Sequence, residues 1–109
     1  MKKQFINLTP HDVNVVQDSN SEVVKIPSCG IVSRVRELVV AEQLIDDFRF
    51  TMKEPGEIVN LPEPQENTYF IVSAQVAEKA QRPDVISPGD LIRNDKGEVI
   101  GCKGFRFWV

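Results

Sequence analysis

Thr68-Tyr69-Phe70-Ile71-Val72-Ser73-Ala74-Gln75-Val76-Ala77-Glu78-Lys79-Ala80-Gln81 changes character once, at Ser73, and that change decides the fold class. Thr68–Val72 is the most apolar run in the chain, short and bounded, which is the pattern of a buried central strand. Ser73 has the hydroxyl of a helix N-cap. The Ala, Gln, Glu and Lys that follow favour a helix over Ala74–Gln81, with Val76, Ala77 and Ala80 as its apolar stripe. Arg82-Pro83-Asp84 stops it.

Upstream of this junction the pattern changes period every few residues, as strands do. Phe5–Leu8 and Val13–Gln17 are short apolar runs separated by the proline turn Thr9-Pro10-His11-Asp12. Asp18-Ser19-Asn20-Ser21 leads into the alternating Glu22–Ile26, and Gly30–Val40 is rich in β-branched residues that favour strand. The acidic stretch Ala41–Asp47 reads as a loop. Phe48–Lys53 alternates, and Glu54-Pro55-Gly56 reads as a turn into Glu57–Leu61, making a hairpin of the two. Leu61-Pro62-Glu63-Pro64 reads as an exposed connector, because proline cannot donate to a sheet ladder. Downstream, Pro88-Gly89 reads as a turn into Asp90–Arg93, and Asn94-Asp95-Lys96-Gly97 turns again into Glu98–Cys102. In the tail, Phe105, Phe107 and Val109 alternate with Arg106 and Trp108.

The expected architecture is α+β, a mostly antiparallel β-sheet with one short helix after a central strand. A length of 109 residues fits one domain, an amino-terminal β meander over 1–61 and a strand-helix unit with a carboxy-terminal hairpin over 67–109. Apolar residues make up 41% and charged residues 27%, so a real core is expected and disorder is excluded as a description of the whole chain. A net charge of −3 argues against duplex nucleic acid or an acidic membrane as partner. No apolar run approaches the ~18 residues of a membrane helix, and the start has no signal-peptide pattern, so the expected location is cytoplasmic.

Chemistry is sparse. The single His11 and the two cysteines, Cys29 and Cys102, are isolated from one another, so no metal site is expected. Both cysteines sit beside glycine, and small buried side chains in a reducing compartment are expected, with a disulfide as the alternative. His11 reads as a turn residue bonded to backbone, or else as a base beside Asp12. No phosphate-cradling glycine motif occurs, and no cofactor is expected.

Three local patterns suit an anionic ligand. An extended backbone puts Arg34 and Arg36 on one face, roughly 7 Å apart at the ~3.3 Å strand rise, a spacing that suits two guanidinium forks on phosphates. The alternative is that both pair with Glu22, Glu37 or Glu57 across the sheet. Ser73 either caps the helix or offers its hydroxyl to an anion. Arg106 and Trp108 offer a cation and an indole for a stacked base, or an aromatic contact between subunits. A tail ending in Phe107, Trp108 and Val109 reads as an uncovered sheet edge, which predicts a homo-oligomer.

NLTPH (residues 7–11), IPSCG (26–30) followed by Arg34, LPEP (61–64), YFIVS (69–73) with Val76-Ala77, RPD (82–84) and DKGEVIGC (95–102) together resemble a family of small proteins of phages, prophages and bacteria such as actinomycetes. The match runs from residue 6 to about residue 106, and it implies no catalytic residue. In size and in its arginine and aromatic endowment the chain is also similar to phage sponges that sequester cyclic nucleotide or cyclic ADP-ribose signals. That likeness implies a non-enzymatic protein holding a nucleotide-derived ligand through Arg34, Arg36, Ser73, Arg106 and Trp108. Two other functions fit the sequence: a module that inhibits a host enzyme through the acidic 41–66 segment and the tail, and a small enzyme using His11 and Asp12.

Overall fold

The computed structural model describes residues 2–109. Eight strands and one helix follow in the order β1 (Gln4–Asn7), β2 (Val13–Val16), β3 (Val23–Ile26), β4 (Arg34–Ile45), β5 (Phe48–Val59), β6 (Thr68–Ile71), α1 (Ala74–Ala80), β7 (Val85–Arg93) and β8 (Val99–Phe107). The chain is thus mostly β-sheet with one short helix. Six strands make one sheet in the order β1-β6-β7-β8-β2-β3, and β4 and β5 form a separate two-stranded ribbon.

Pairing in the six-stranded sheet is mixed rather than mostly antiparallel. β1 with β6, β6 with β7, and β2 with β8 run parallel, whereas β7 with β8 and β2 with β3 run antiparallel. The amino-terminal strands are therefore no free-standing meander: β1 and β2 dock onto strands from the second half of the chain. Parallel pairs need long crossovers between partners, and no local pattern announces them.

The sheet curls until its edges meet. Asn7 at the end of β1 bridges Ser28 just after β3, and its carbonyl accepts from the Cys29 N–H at 3.0 Å. The Asn7 side chain, 1% exposed, completes the closure. Its Nδ2 donates to the carbonyls of His11 and Ile26, each at 2.9 Å, and its Oδ1 accepts from the Thr9 N–H at 2.9 Å and the Thr9 hydroxyl at 2.6 Å.

Two apolar clusters lie on either face of the curled sheet. Val13, Val15, Ile71, Ile86 and Cys102 fill one. On the other face Leu8, Phe70, Val72 and Val85 receive Val76 and Ala77 of α1, with Val35, Ile58, Leu61 and Trp108 at the margin. Consecutive residues of β6 serve both clusters, which is why its run is apolar without alternation. Ser73 caps α1, accepting from the Val76 N–H at 3.4 Å, and Gln81 closes it in the left-handed conformation.

Four sequence expectations change. Ala41–Ile45 is strand, with Asp46 and Asp47 both at positive φ (49° and 64°) in a two-residue hairpin turn. Glu54-Pro55-Gly56 lies within β5, which pairs along its length with β4 instead of folding on itself. Pro88-Gly89 lies within β7, where a Cβ on Gly89 would fall 2.3 Å from the Lys103 carbonyl, so glycine allows a close approach rather than a turn. The tail is uncovered only in part: Phe105–Phe107 pairs with β7, while β2 reaches β8 only at Cys102 and Lys103, Phe105 stacks on Phe5, and the Trp108 indole N–H donates to Ser87 at 2.9 Å. Phe107 and Val109 keep large exposures, 59% and 65%.

Replacing Asn7 by alanine leaves the Ile26 carbonyl and the Thr9 N–H without their partners in a largely buried site, while the Thr9 hydroxyl and the His11 carbonyl keep each other. The expected loss is about 3 kcal/mol, read by urea denaturation. A change below about 0.5 kcal/mol, the size of an ordinary surface substitution, would show that the closure does not depend on this side chain.

Candidate functional site

Strand ends and loops converge beside Ser73. The β1–β2 turn brings Thr9, His11 and Asp12, β2 brings Val13 and Asn14, and the start of β8 brings Val99, Ile100, Gly101 and Cys102. With Val72, Ser73 and Pro88 they line an open cavity of about 610 Å³. A second lobe of about 400 Å³ shares Thr9 and Ser73 and adds Pro10, Ser33, Arg34 and Gln75. The two lobes adjoin at Thr9 and Ser73, one mainly apolar and the other bearing an arginine.

Local hydrogen bonds fix the walls. Ser33 donates its N–H to the Leu8 carbonyl at 3.0 Å and its hydroxyl to the Val59 carbonyl at 3.1 Å, holding Arg34 at the mouth of the second lobe. The His11 carbonyl accepts from Asn7 and Thr9, so the turn is rigid at its backbone while the imidazole lies exposed. Asp12 is held by β3: its carboxylate accepts from the Ser28 N–H at 3.2 Å and pairs with Lys25 at 3.5 Å. It does not orient His11. On β8, a Cβ at Gly101 would meet the Asn14 carbonyl at 2.9 Å, so glycine lets β2 and β8 approach at the cavity wall.

The structure brings together two of the five residues expected to bind a ligand, Arg34 and Ser73. Arg36 lies elsewhere. The bulge opposite it, where Gly56 and Glu57 of β5 face the single Arg36 of β4, leaves the alternation of β4 intact, but Arg36 lines neither lobe and its guanidinium pairs with Glu57 at 3.7 Å. Arg106 and Trp108 line a separate concavity of about 370 Å³ with Ala74, Pro88 and Lys103. There the Arg106 guanidinium already lies 3.7 Å from the Trp108 ring centroid, and the indole packs at the margin of the α1 cluster. Pro88 borders both concavities, and Ala74 follows Ser73 directly.

Sequence reasoning missed Thr9, Val13, Asn14 and Ile100 as wall residues. Thr9 lies in the β1–β2 turn, Val13 and Asn14 begin β2 and Ile100 lies near the start of β8, and no spacing in the chain foretells that a parallel pairing of β2 with β8 brings them to one place.

Comparison with family models, curated proteins and solved structures finds no match to this chain.

The cysteines differ sharply. Cys29 is exposed and Cys102 is buried in the cavity wall, both as free thiols, so the expected burial holds for Cys102 alone. Burial raises the Cys102 thiol above its ordinary pKa, partly offset by a hydrogen bond with the Gly89 backbone. Because the folded thiol ionises later than the unfolded one, its contribution to stability is full below the ordinary thiol range, near 8.5, and declines as pH rises through it. Iodoacetamide at pH 8 should label the native protein once, at Cys29. Label on native Cys29→Ser protein would show that Cys102 is open to solvent.

Proposed function

We propose that this chain is a non-enzymatic binding protein of phage type that sequesters a nucleotide-derived signal, of the cyclic nucleotide or cyclic ADP-ribose class. The observation that carries the reading is the junction of an apolar chamber with an arginine-bearing lobe at Thr9 and Ser73. Its main chamber falls within the roughly 300–1,000 Å³ typical of small-molecule sites. A base fits the chamber between Val13, Val99 and Ile100, where Thr9, Asn14 and His11 offer polar groups to its edge or to a ribose. The phosphate then lies toward Arg34, whose planar fork makes charge-assisted bonds to phosphate oxygens. The Ser73 hydroxyl and the Gln75 amide border the same lobe and complete the polar end. An oligomer would multiply such sites.

Arg36 drops out of this arrangement because Glu57 holds it. Arg106 and Trp108 enter only as a neighbouring wall, through Pro88. A sequestering protein returns its ligand unchanged, which separates this reading from an enzyme built on His11.

Calorimetry against a panel of cyclic dinucleotides, cyclic oligonucleotides and cyclic ADP-ribose isomers is the direct test. One class should bind, and Arg34→Glu should weaken it at least about 30-fold, the equivalent of ~2 kcal/mol lost with a charge-assisted contact. Arg36→Glu should change the affinity less than about threefold, as expected of a rim charge screened by solvent. No heat with any member of the panel would overturn the reading in favour of a protein-interaction module. Recovery of a cleaved ligand, abolished in His11→Ala, would overturn it in favour of an enzyme.

A further inference from the structure

The β4–β5 ribbon projects from the sheet. The radius of gyration is 17.0 Å and the longest extent 57 Å, whereas a compact chain of this length has a radius near 13 Å. Two-stranded ribbons standing alone in water are marginally stable. This one carries ten and more residues per strand with nothing of its own chain against either face of its outer half.

Its two faces differ. Residues opposite one another in an antiparallel pair share a face, and the register runs Ile45 to Phe48, Gln43 to Phe50, Ala41 to Met52 and, past a bulge at Val40, Leu38 to Glu54. One face therefore presents Leu38, Ile45, Phe48, Phe50 and Met52, each between 44% and 71% exposed. Its only charge between Leu38 and the turn is Glu54, at the base. The other face carries the ion pairs Glu42–Arg49 and Glu37–Lys53, both at 3.3 Å. The sequence alternates so that charge is satisfied within the ribbon on one side and absent from most of the other.

We infer that the apolar face of the β4–β5 arm is the surface through which two copies of this chain associate, arm against arm. Three features select a second copy as the occupant. The face is self-complementary: tall Phe50 and Met52 line one strand, opposite shorter Gln43 and Ala41 on the other. A two-fold axis along the arm then sets the ridge of each copy over the furrow of its partner. Between Ala41 and Met52 no charge lies on this face, since Glu42, Arg49, Glu37 and Lys53 pair on the other, and Glu54 stands at its inner margin. The five large side chains also offer about 500 Å² per copy, or ~1,000 Å² for the pair, which reaches the size at which specific interfaces begin. An arm this long needs its cover whenever the chain is folded, and another copy is present wherever the chain is made. The contact uses the arm rather than the carboxy-terminal strand, whose aromatics the fold already engages.

Light scattering of the full chain at micromolar concentration should give twice the mass of one chain, or a higher even multiple. Phe50→Asp should reduce it to one copy while the urea midpoint of the barrel and the near-ultraviolet signal of Trp108 stay in place. Thr51→Lys, on the opposite face, should leave the assembly intact. In a Cys29→Ser background, a short bis-maleimide should cross-link Phe50→Cys chains to Gln43→Cys chains, and not Thr51→Cys chains to one another. A strictly monomeric native chain would overturn the inference and assign the face to a different protein or to a lipid surface. An assembly that survives Phe50→Asp, or that cross-links equally from Thr51→Cys, would overturn it by placing the contact elsewhere. None of these readouts involves the cleft or its ligand.

Discussion

Asn7 is the clasp on which the remaining structure depends. Its backbone joins β6 on one side and the Ser28–Cys29 segment on the other, and its amide meets four groups of the β1–β2 turn and β3. An amide suits this position because it donates and accepts at once. A carboxylate would set negative charge against two carbonyls, and an apolar residue would leave buried polar groups without partners. Closure at this point ties the last residue of β1 to the segment just after β3, at the two ends of the sheet. It also fixes the Thr9–Asp12 turn, one wall of the cleft.

The cleft follows from closure together with two glycines. A curled sheet brings the ends of non-adjacent strands together at its rim, and the gap between them depends on how closely neighbouring backbones approach. Gly89 sits where a side chain would strike the carbonyl of Lys103, and Gly101 where it would strike that of Asn14. With both, β7, β8 and β2 draw together beneath Pro88 and Ile100. The chamber wall is then Val13, Val72, Val99 and Cys102, residues continuous with the core but turned to the opening. An apolar wall of this kind stays sound without a ligand, because Val13, Val72 and Cys102 are buried in the core and only Val99 is widely exposed.

The helix, its cap and the central strand were legible because each is a local pattern: an unbroken apolar run, a serine at the boundary, an Ala-rich stripe. The Asn94–Gly97 turn was legible for the same reason, with Gly97 at positive φ and the Asn94 side chain accepting from the N–H groups of Lys96 and Glu98. The long arm was not. Its turn uses Asp46-Asp47 where Asn-Gly or Asp-Gly is the usual signal, and Pro55-Gly56 inside β5 mimics a turn. Bulges at Gly56–Glu57 of β5 and at Val40 of β4 shift the alternation once in each strand. Of the candidate site, Ser73 and Arg34 could be found because a cap and an arginine on a β-branched run stand out alone. The walls that join them come from parallel pairings between distant segments, and a single sequence holds no period for those.

Arg34 belongs to both parts of the molecule. It is the first residue of β4, paired with Val59 at the base of the arm, and it lines the lobe that adjoins Ser73. The anchors of this base are few and specific: Ser33 bonds Leu8 and Val59, and the Asn60 amide donates to the Val32 carbonyl at 3.1 Å. Asn60 reaches that carbonyl from a left-handed backbone, φ 60°, a conformation that asparagine adopts more readily than most residues. Because Ser33 bonds the carbonyl of Leu8, the residue before Thr9, the same anchor positions both sides of the second lobe. The arm and the cleft share one hinge of hydrogen bonds, and the geometry of Arg34 relative to Ser73 is set where they meet.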